Sequence, residues 1–384
     1  MVEPNPFCMY PWFHQDVSPA GNATPCCIYW PPLQGETHHS SFFHGKFMQQ
    51  LRDDMLAHNP PATCYRCTKK EQLGTKSPRL NARTYAKQWD VVVSDLPSLI
   101  SHTVNLSNLC NLACLTCNSA RSTRWISDEL ALGMIPNKKL VSNWHLTIEQ
   151  AKTVRRLEFM GGEPLLHQTA ILEALKLVSR HGRMGELSIE MTSNCTVEID
   201  ESLLELMLTA GQVHIGCSID AVGKLNDYIR WPSNWERLTA CLDRIVDLSV
   251  DNANFSFSIF STISIFNINR VLELLHWIRS TYGLDRNQID FIFAQNTEYF
   301  NVANLPDMVK DRLEDELRHY SSNVASYALL IEAVIRYLKT PATLTNEQFL
   351  LDYVRKNRTL DARRGIEFAD VNPEMSGILE QLAR

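Results

Sequence analysis

Between residues 101 and 294, short apolar runs alternate with longer stretches of helical periodicity. Six runs have strand character: 101–107, 154–160, 187–193, 212–219, 255–265 and 288–294. In the gaps, Ile171, Leu172, Leu175, Leu177 and Val178 fall on one stripe, as do Leu203, Leu204, Leu206 and Met207. Leu238, Cys241, Leu242, Ile245 and Leu248 form a third. Strands alternating with amphipathic helices predict parallel strands joined by helical crossovers. The expected fold class is therefore α/β, with six strand and helix units making a partial (β/α)6 TIM-like barrel. In such barrels the chemistry sits at the C-terminal ends of the strands.

The flanks read differently. Residues 1–75 form a small module with little regular structure, rich in Pro, Gly, His and aromatics, with one short helix around His44 to Ala57. Residues 76–100 read as a basic connector with a helical turn at Tyr85 to Trp89, and 101–299 as the barrel. A helical C-terminal extension over 300–384 has its strongest stretch from Leu313 to Tyr337, then a helix from Asn346 to about Lys356, then a polar tail after Leu360. A net charge of −6 with 21% charged residues is ordinary, which disfavours a generic nucleic-acid binder. No run approaches the ~18 apolar residues of a membrane span, and the start lacks a basic region followed by an apolar one, so a cytoplasmic protein is expected. Eleven cysteines in such a chain argue for metal ligation rather than disulfides.

The densest chemistry follows the first barrel strand, in Cys110-Asn-Leu-Ala-Cys114-Leu-Thr-Cys117. Three thiolates can hold three irons of a 4Fe-4S cubane, and with no fourth Cys nearby one iron stays open for reaction. The alternative, a structural zinc knuckle, prefers four ligands in two C-x2-C-like pairs. In the first 75 residues Cys8, the tandem Cys26-Cys27 and Cys64-Tyr-Arg-Cys67 supply four ligands and a spare, enough to saturate either a cluster or a zinc ion. His38, His39 and His44 lie in a polar stretch and read as solvated. Polar groups mark the other strand ends: Gly161-Gly162-Glu163-Pro164, Ser193-Asn194-Cys195-Thr196, Ser218-Ile-Asp220 and Asn267. Gly161 and Gly162 let the backbone approach a ligand closely.

The cysteine triplet together with Gly161-Gly162-Glu163-Pro164 resembles the radical S-adenosylmethionine superfamily. The resemblance implies a cluster on Cys110, Cys114 and Cys117 whose open iron binds S-adenosylmethionine, with reductive cleavage to a 5'-deoxyadenosyl radical that takes hydrogen from a substrate. It implies that Gly161, Gly162 and Glu163 meet the cofactor's amino group, the last through its carboxylate. It also implies that Asn194, Ser218, Asn267 and Arg230 contact the rest of the cofactor, with Arg230 on its carboxylate. The N-terminal cysteines, with Pro11-Trp12, the Gly21 turn and Leu51-Arg52, look like a SPASM or twitch auxiliary-cluster module over residues 7–75, placed before the barrel. Carried over, Cys8, Cys26, Cys64 and Cys67 hold a second 4Fe-4S cluster, Cys26 being chosen because it follows a proline.

Two positions depart from the family pattern. Thr116 stands where an aromatic residue often precedes the third Cys, and Cys195 stands where a glycine is common. A thiol at the barrel mouth suits a hydrogen-atom donor that quenches a substrate radical, which makes Cys195 a catalytic candidate; the favoured alternative is a buried small residue. Cys217 and Cys241 read as small core residues. The resemblance implies a ribosomally made peptide as substrate and a reductant such as flavodoxin or ferredoxin. A small-molecule dehydrogenase is the alternative, and a non-catalytic iron-sulfur electron carrier a further one.

Overall fold

Each apolar run forms a strand in the structure, a computed structural model that describes residues 7–29, 38–294, 298–323 and 325–383. These strands are β3 (Ser101–Asn105), β4 (Arg156–Met160), β5 (Ser188–Ser193), β6 (Gln212–Ser218), β7 (Phe255–Ile263) and β8 (Ile289–Phe293). All pair in parallel with their sequence neighbours. The helices Gln168–Arg180, Glu201–Met207 and Trp235–Asp251 make crossovers where the apolar stripes lie, and Val271–Tyr282 makes a further one.

Among the described residues the sheet nevertheless has eight strands, because the N-terminal segment contributes two. β1 (His14–Val17) runs parallel to β3, and β2 (Ala23–Thr24) pairs antiparallel with β1 at the sheet edge. No apolar run announces β1, since three of its four residues are polar. All four are nonetheless buried, because one face meets the apolar core and the other a polar row.

The register separates the two faces. Val17, Val104, Phe159, Met191, Ile215 and Phe257 lie side by side and are buried in the core shared with the helices. One residue earlier on each strand, side chains point the other way. That row reads Asp16, Thr103, Glu158, Glu190, His214 and Ser256.

The connector is a full helix, Pro78–Gln88, rather than a turn at its end. Ser77 caps it by accepting from the Leu80 N–H at 3.2 Å, and Pro78 occupies the first turn, where a missing N–H costs nothing. Its Tyr85 hydroxyl donates to Glu190 at 2.8 Å, so the helix covers part of the polar face. Lys76 reaches Asp290 on β8 at 3.6 Å, linking the N-terminal segment to the far strand.

The C-terminal extension corrects the sequence expectation in two places. The stretch expected over Leu313 to Tyr337 is two helices, Asp307–Asn323 and Ala328–Leu338. The helix begun at Asn346 continues through the supposed polar tail to Arg364 and ends at Gly365, whose φ of 67° suits glycine. Tertiary contact holds that last turn. Arg363 and Arg364 both pair with Asp128 at 2.9 Å, and the Arg364 guanidinium lies 5.1 Å from the Trp125 and Trp231 rings. Among the described residues no helix is long and apolar enough to cross a membrane.

Candidate functional site

The cysteine loop after β3 is pinned to the segment after β6. The Ala113 N–H donates to the Trp231 carbonyl at 2.6 Å and the Leu115 N–H to the Ile229 carbonyl at 2.7 Å. Trp125 Nε1 donates to the Cys114 carbonyl at 2.8 Å, so the Arg364 and Trp125 stack also buttresses the loop. The outcome is a cavity of about 240 Å³ lined by Cys110, Cys114 and Cys117 together with Gly161, Gly162, Glu163, Asn194, Ser218 and Arg230. Thr116 lines it as well, in the place of the absent aromatic.

Two glycines shape one wall. Gly161 has φ of +140°, and a Cβ there would lie 2.5 Å from the Ser107 carbonyl oxygen; one on Gly162 would lie 1.9 Å from that of Leu109. Their turn therefore packs directly on the cysteine loop. The Gly162 N–H donates to Ser107 O and the Glu163 N–H to Leu109 O, each at 2.8 Å. No donor among the described residues reaches the carbonyl oxygens of Gly161 and Gly162, which leaves them as acceptors at the cavity wall.

Glu163 lines the cavity and also carries bonds within the protein. Its carboxylate is already taken, accepting from the Asn194 N–H at 2.8 Å, the Ser193 hydroxyl at 3.1 Å and the Leu165 N–H at 3.2 Å. It ties the end of β4 to the end of β5. Burial outweighs these bonds and raises its pKa to about 7. A carboxyl whose folded pKa is raised contributes most below the unfolded value of 4.5, and that contribution is lost as pH rises toward 7. In the iron-free protein, the stability advantage of wild type over Glu163→Gln should therefore be larger at pH 5 than at pH 8 in urea unfolding. A constant or growing difference would contradict this reading of the carboxyl.

Arg230 is buried and donates to Asp220 at 2.8 Å. Burial works against its charge, but Cys114, Asp220 and Cys110 outweigh that and hold its pKa above the usual guanidinium value. Asp220 also accepts from the Thr262 N–H at 2.7 Å, so it fixes Arg230 to the ends of β6 and β7. Asn194 Nδ2 donates to Asn111 at 2.8 Å and lies 3.8 Å from Cys110 Sγ. Sequence reasoning quoted Asp220 without giving it a role and missed Arg121, Asn111 and Thr262. Arg121 and Thr262 are lone polar residues with no motif around them, and Asn111 is a variable position inside the cysteine motif.

Two candidates lie elsewhere. Asn267 is buried away from the cavity and spends its amide on protein, donating to the Asp220 carbonyl at 2.7 Å and the Thr262 carbonyl at 2.9 Å. It braces Asp220 instead of facing a ligand. Cys195 has φ of 56° and is fully buried, and it is absent from the cavity wall. Its thiol turns toward those of Cys217 and Cys241. The backbone twist that a glycine would favour points the side chain into the core, so Cys195 has the placement of a buried small residue and not that of a thiol at the barrel mouth.

The N-terminal thiols converge as a set. Cys8, Cys26, Cys64 and Cys67 line one apolar cavity, with Arg79 at its edge held by Glu71. Cys27 does not line it; its thiol is instead acted on by Asp16, Glu158, Arg121 and Arg156 on the polar face of the sheet. Burial pushes the Cys8 thiol up to about 12 and the Cys64 thiol to about 11.

Both thiol sets fit polynuclear iron. Burial, reinforced by neighbouring thiols, pushes Cys110 and Cys117 to about 12, so these groups hold thiolate charge only beside a cation. Among the described residues no three Cys, His, Asp or Glu side chains converge on one ion-sized point.

Residues 104–278 match the Radical SAM superfamily. The matched segment contains the cysteine loop, the glycine pair and Arg230, and excludes the N-terminal thiols. Solved structures resembling the chain include anSMEcpe with bound AdoMet, at 14% identity over 66% of each chain with a TM-score of 0.43. Streptococcus suis SuiB bound to S-adenosylmethionine is 14% identical over 74% of this chain and 61% of its own, with a TM-score of 0.40. A complex of anSMEcpe with AdoMet and Kp18Cys peptide has 14% identity over 56% of this chain and 61% of its own, with a TM-score of 0.39. The chain thus spans 61% to 66% of the length of these structures. No curated protein sequence matches it.

Proposed function

We propose that the chain is a radical SAM enzyme that uses S-adenosylmethionine to take hydrogen from a substrate. One observation carries this reading: three cysteines, two glycine carbonyls without donors and a buried arginine share one cavity at the C-terminal ends of β3 to β6. When bound, the cluster supplies one electron to the sulfonium, whose cleavage gives methionine and the 5'-deoxyadenosyl radical. Cys110, Cys114 and Cys117 are the residues that would hold it. The Gly161 and Gly162 carbonyls accept from the cofactor's ammonium, and Arg230, steadied by Asp220, meets its carboxylate. Glu163 positions the glycine turn. Ser218 offers a hydroxyl on the same wall for the ribose. The protein's further task is to exclude water and hold the substrate hydrogen against the radical.

Cys8, Cys26, Cys64 and Cys67 are proposed to hold a second 4Fe-4S cluster, saturated by four thiolates. The resemblance of this cysteine pattern to auxiliary-cluster modules supports a ribosomally made peptide as substrate and a flavodoxin or ferredoxin as reductant. Anaerobically reconstituted protein with dithionite and S-adenosylmethionine should release 5'-deoxyadenosine and methionine in equal amounts. Persistent absence of both products would reject the enzyme reading.

A further inference from the structure

The polar face of the sheet carries a charge imbalance that the proposed chemistry does not use. Its row holds Asp16, Glu158 and Glu190. Arg156 is shared between two of them, at 2.8 Å from Glu158 and 2.7 Å from Glu190. Tyr85 and Thr103 supply further donors to the same two. Asp16 is left out of this arrangement. It is 7% exposed, its Oδ1 accepts only from Asn105 at 3.2 Å, and its Oδ2 has no partner among the described residues. Arg121, the other cation nearby, donates to Asn105. A buried carboxylate oxygen without a donor is costly, so its presence needs a reason.

The row lies beneath the cysteine cavity. Met160 and Thr192 line that cavity, and each follows Glu158 or Glu190 by two residues on the same strand. Two residues of strand span about 7 Å, so the carboxylates sit roughly that far below. Asn105 joins the two levels, with Asp16 on one side and the cavity-lining Arg121 on the other. Cys27 faces the same charges and keeps accessible surface.

We propose that Asp16 receives a cationic N–H donor of the substrate, an alkylammonium or guanidinium group, so that the neighbouring part of the substrate stands under the cavity. Burial raises the Asp16 carboxyl to about 7 against the pull of Arg121, as expected of a group that lacks its counter-ion. A charge-assisted bond from the substrate completes it. Glu158, bonded by Thr103 and Arg156, does not compete for the cation. The inference rests on the enzyme reading for its substrate, though its test does not depend on turnover.

The experiment uses full-length iron-loaded protein with S-adenosylmethionine, under anaerobic conditions, and calorimetric titration. The probes are n-butylammonium against n-butanol, and two hexapeptides identical except for a central lysine or norleucine. The charged member of a pair should bind roughly ten- to a hundredfold tighter. In Asp16→Asn that preference should fall to near unity, and in Asp16→Glu it should be retained. Because the preference is a ratio within one variant, it does not depend on the fraction of protein folded. A preference in the peptide pair alone assigns the cation to a peptide, and one in the amine pair alone to a small molecule. No charge preference in wild type, or an equal one in Asp16→Asn, overturns the inference. Failure of 5'-deoxyadenosine release with the binding preference intact would instead count against the enzyme reading.

Discussion

Replacing Cys110, Cys114 and Cys117 together by Ala is expected to remove roughly four of about eight irons per chain and to abolish S-adenosylmethionine cleavage. The two thiol sets come from separate segments and line separate cavities, so they should part cleanly under mutation. Replacing Cys64 and Cys67 should remove the other four irons and leave the three-thiol site loaded. Replacing Cys27, which faces the other way, should remove none. Iron analysis and visible absorption read each outcome. Eight irons after the first replacement, or zinc in the N-terminal set, would overturn the assignment.

The second large effect is expected at Asp220. Removing one partner of a buried ion pair leaves the other charge uncompensated, at a cost of about 3 to 5 kcal/mol. Asp220 is 1% exposed, holds Arg230 at 2.8 Å and satisfies the Thr262 N–H. Asp220→Ala should therefore lower the unfolding free energy of the iron-free protein by that amount, and cofactor affinity should fall with the loss of Arg230's fixed position. Combining Asp220→Leu with Arg230→Met should recover most of the stability and none of the affinity, since an apolar pair packs without a counter-charge. A single-mutant effect within about 0.5 kcal/mol would show that the pair is not a keystone of the site.

The choice between Cys26 and Cys27 shows how far local rules reach. The two adjacent thiols sit in a tight turn, where the Tyr29 N–H donates to the Cys26 carbonyl at 3.1 Å, and only Cys26 lines the cavity with Cys8, Cys64 and Cys67. The preceding proline singled out Cys26, and its side chain does line the cavity. What Cys27 faces instead could not be read locally, because Asp16, Glu158, Arg121 and Arg156 come from other places in the chain. Glu163 illustrates the opposite failure. Its motif located it correctly, yet a carboxylate beside a ligand site can bind the ligand or brace the wall. The donors that decide between these, Ser193, Asn194 and Leu165, are visible only in three dimensions.

The sequence by itself determined the six parallel strands and their crossovers, since burial on both faces or on one stripe imposes a period that survives in the residues. It also located the cysteine loop and the glycine turn, whose spacing is set by the chemistry of ligation and by close backbone approach. Only the tertiary structure decided that the N-terminal segment extends the sheet through β1, because a strand lying between an apolar core and a polar row has no apolar run to announce it. Tertiary contact also turned the polar stretch ending at Arg364 into helix, by docking its arginines on Asp128, Trp125 and Trp231. Cys195 was settled in the same way: a positive φ turned its thiol into the core, and backbone conformation at a strand end follows from packing, which residue type alone does not encode.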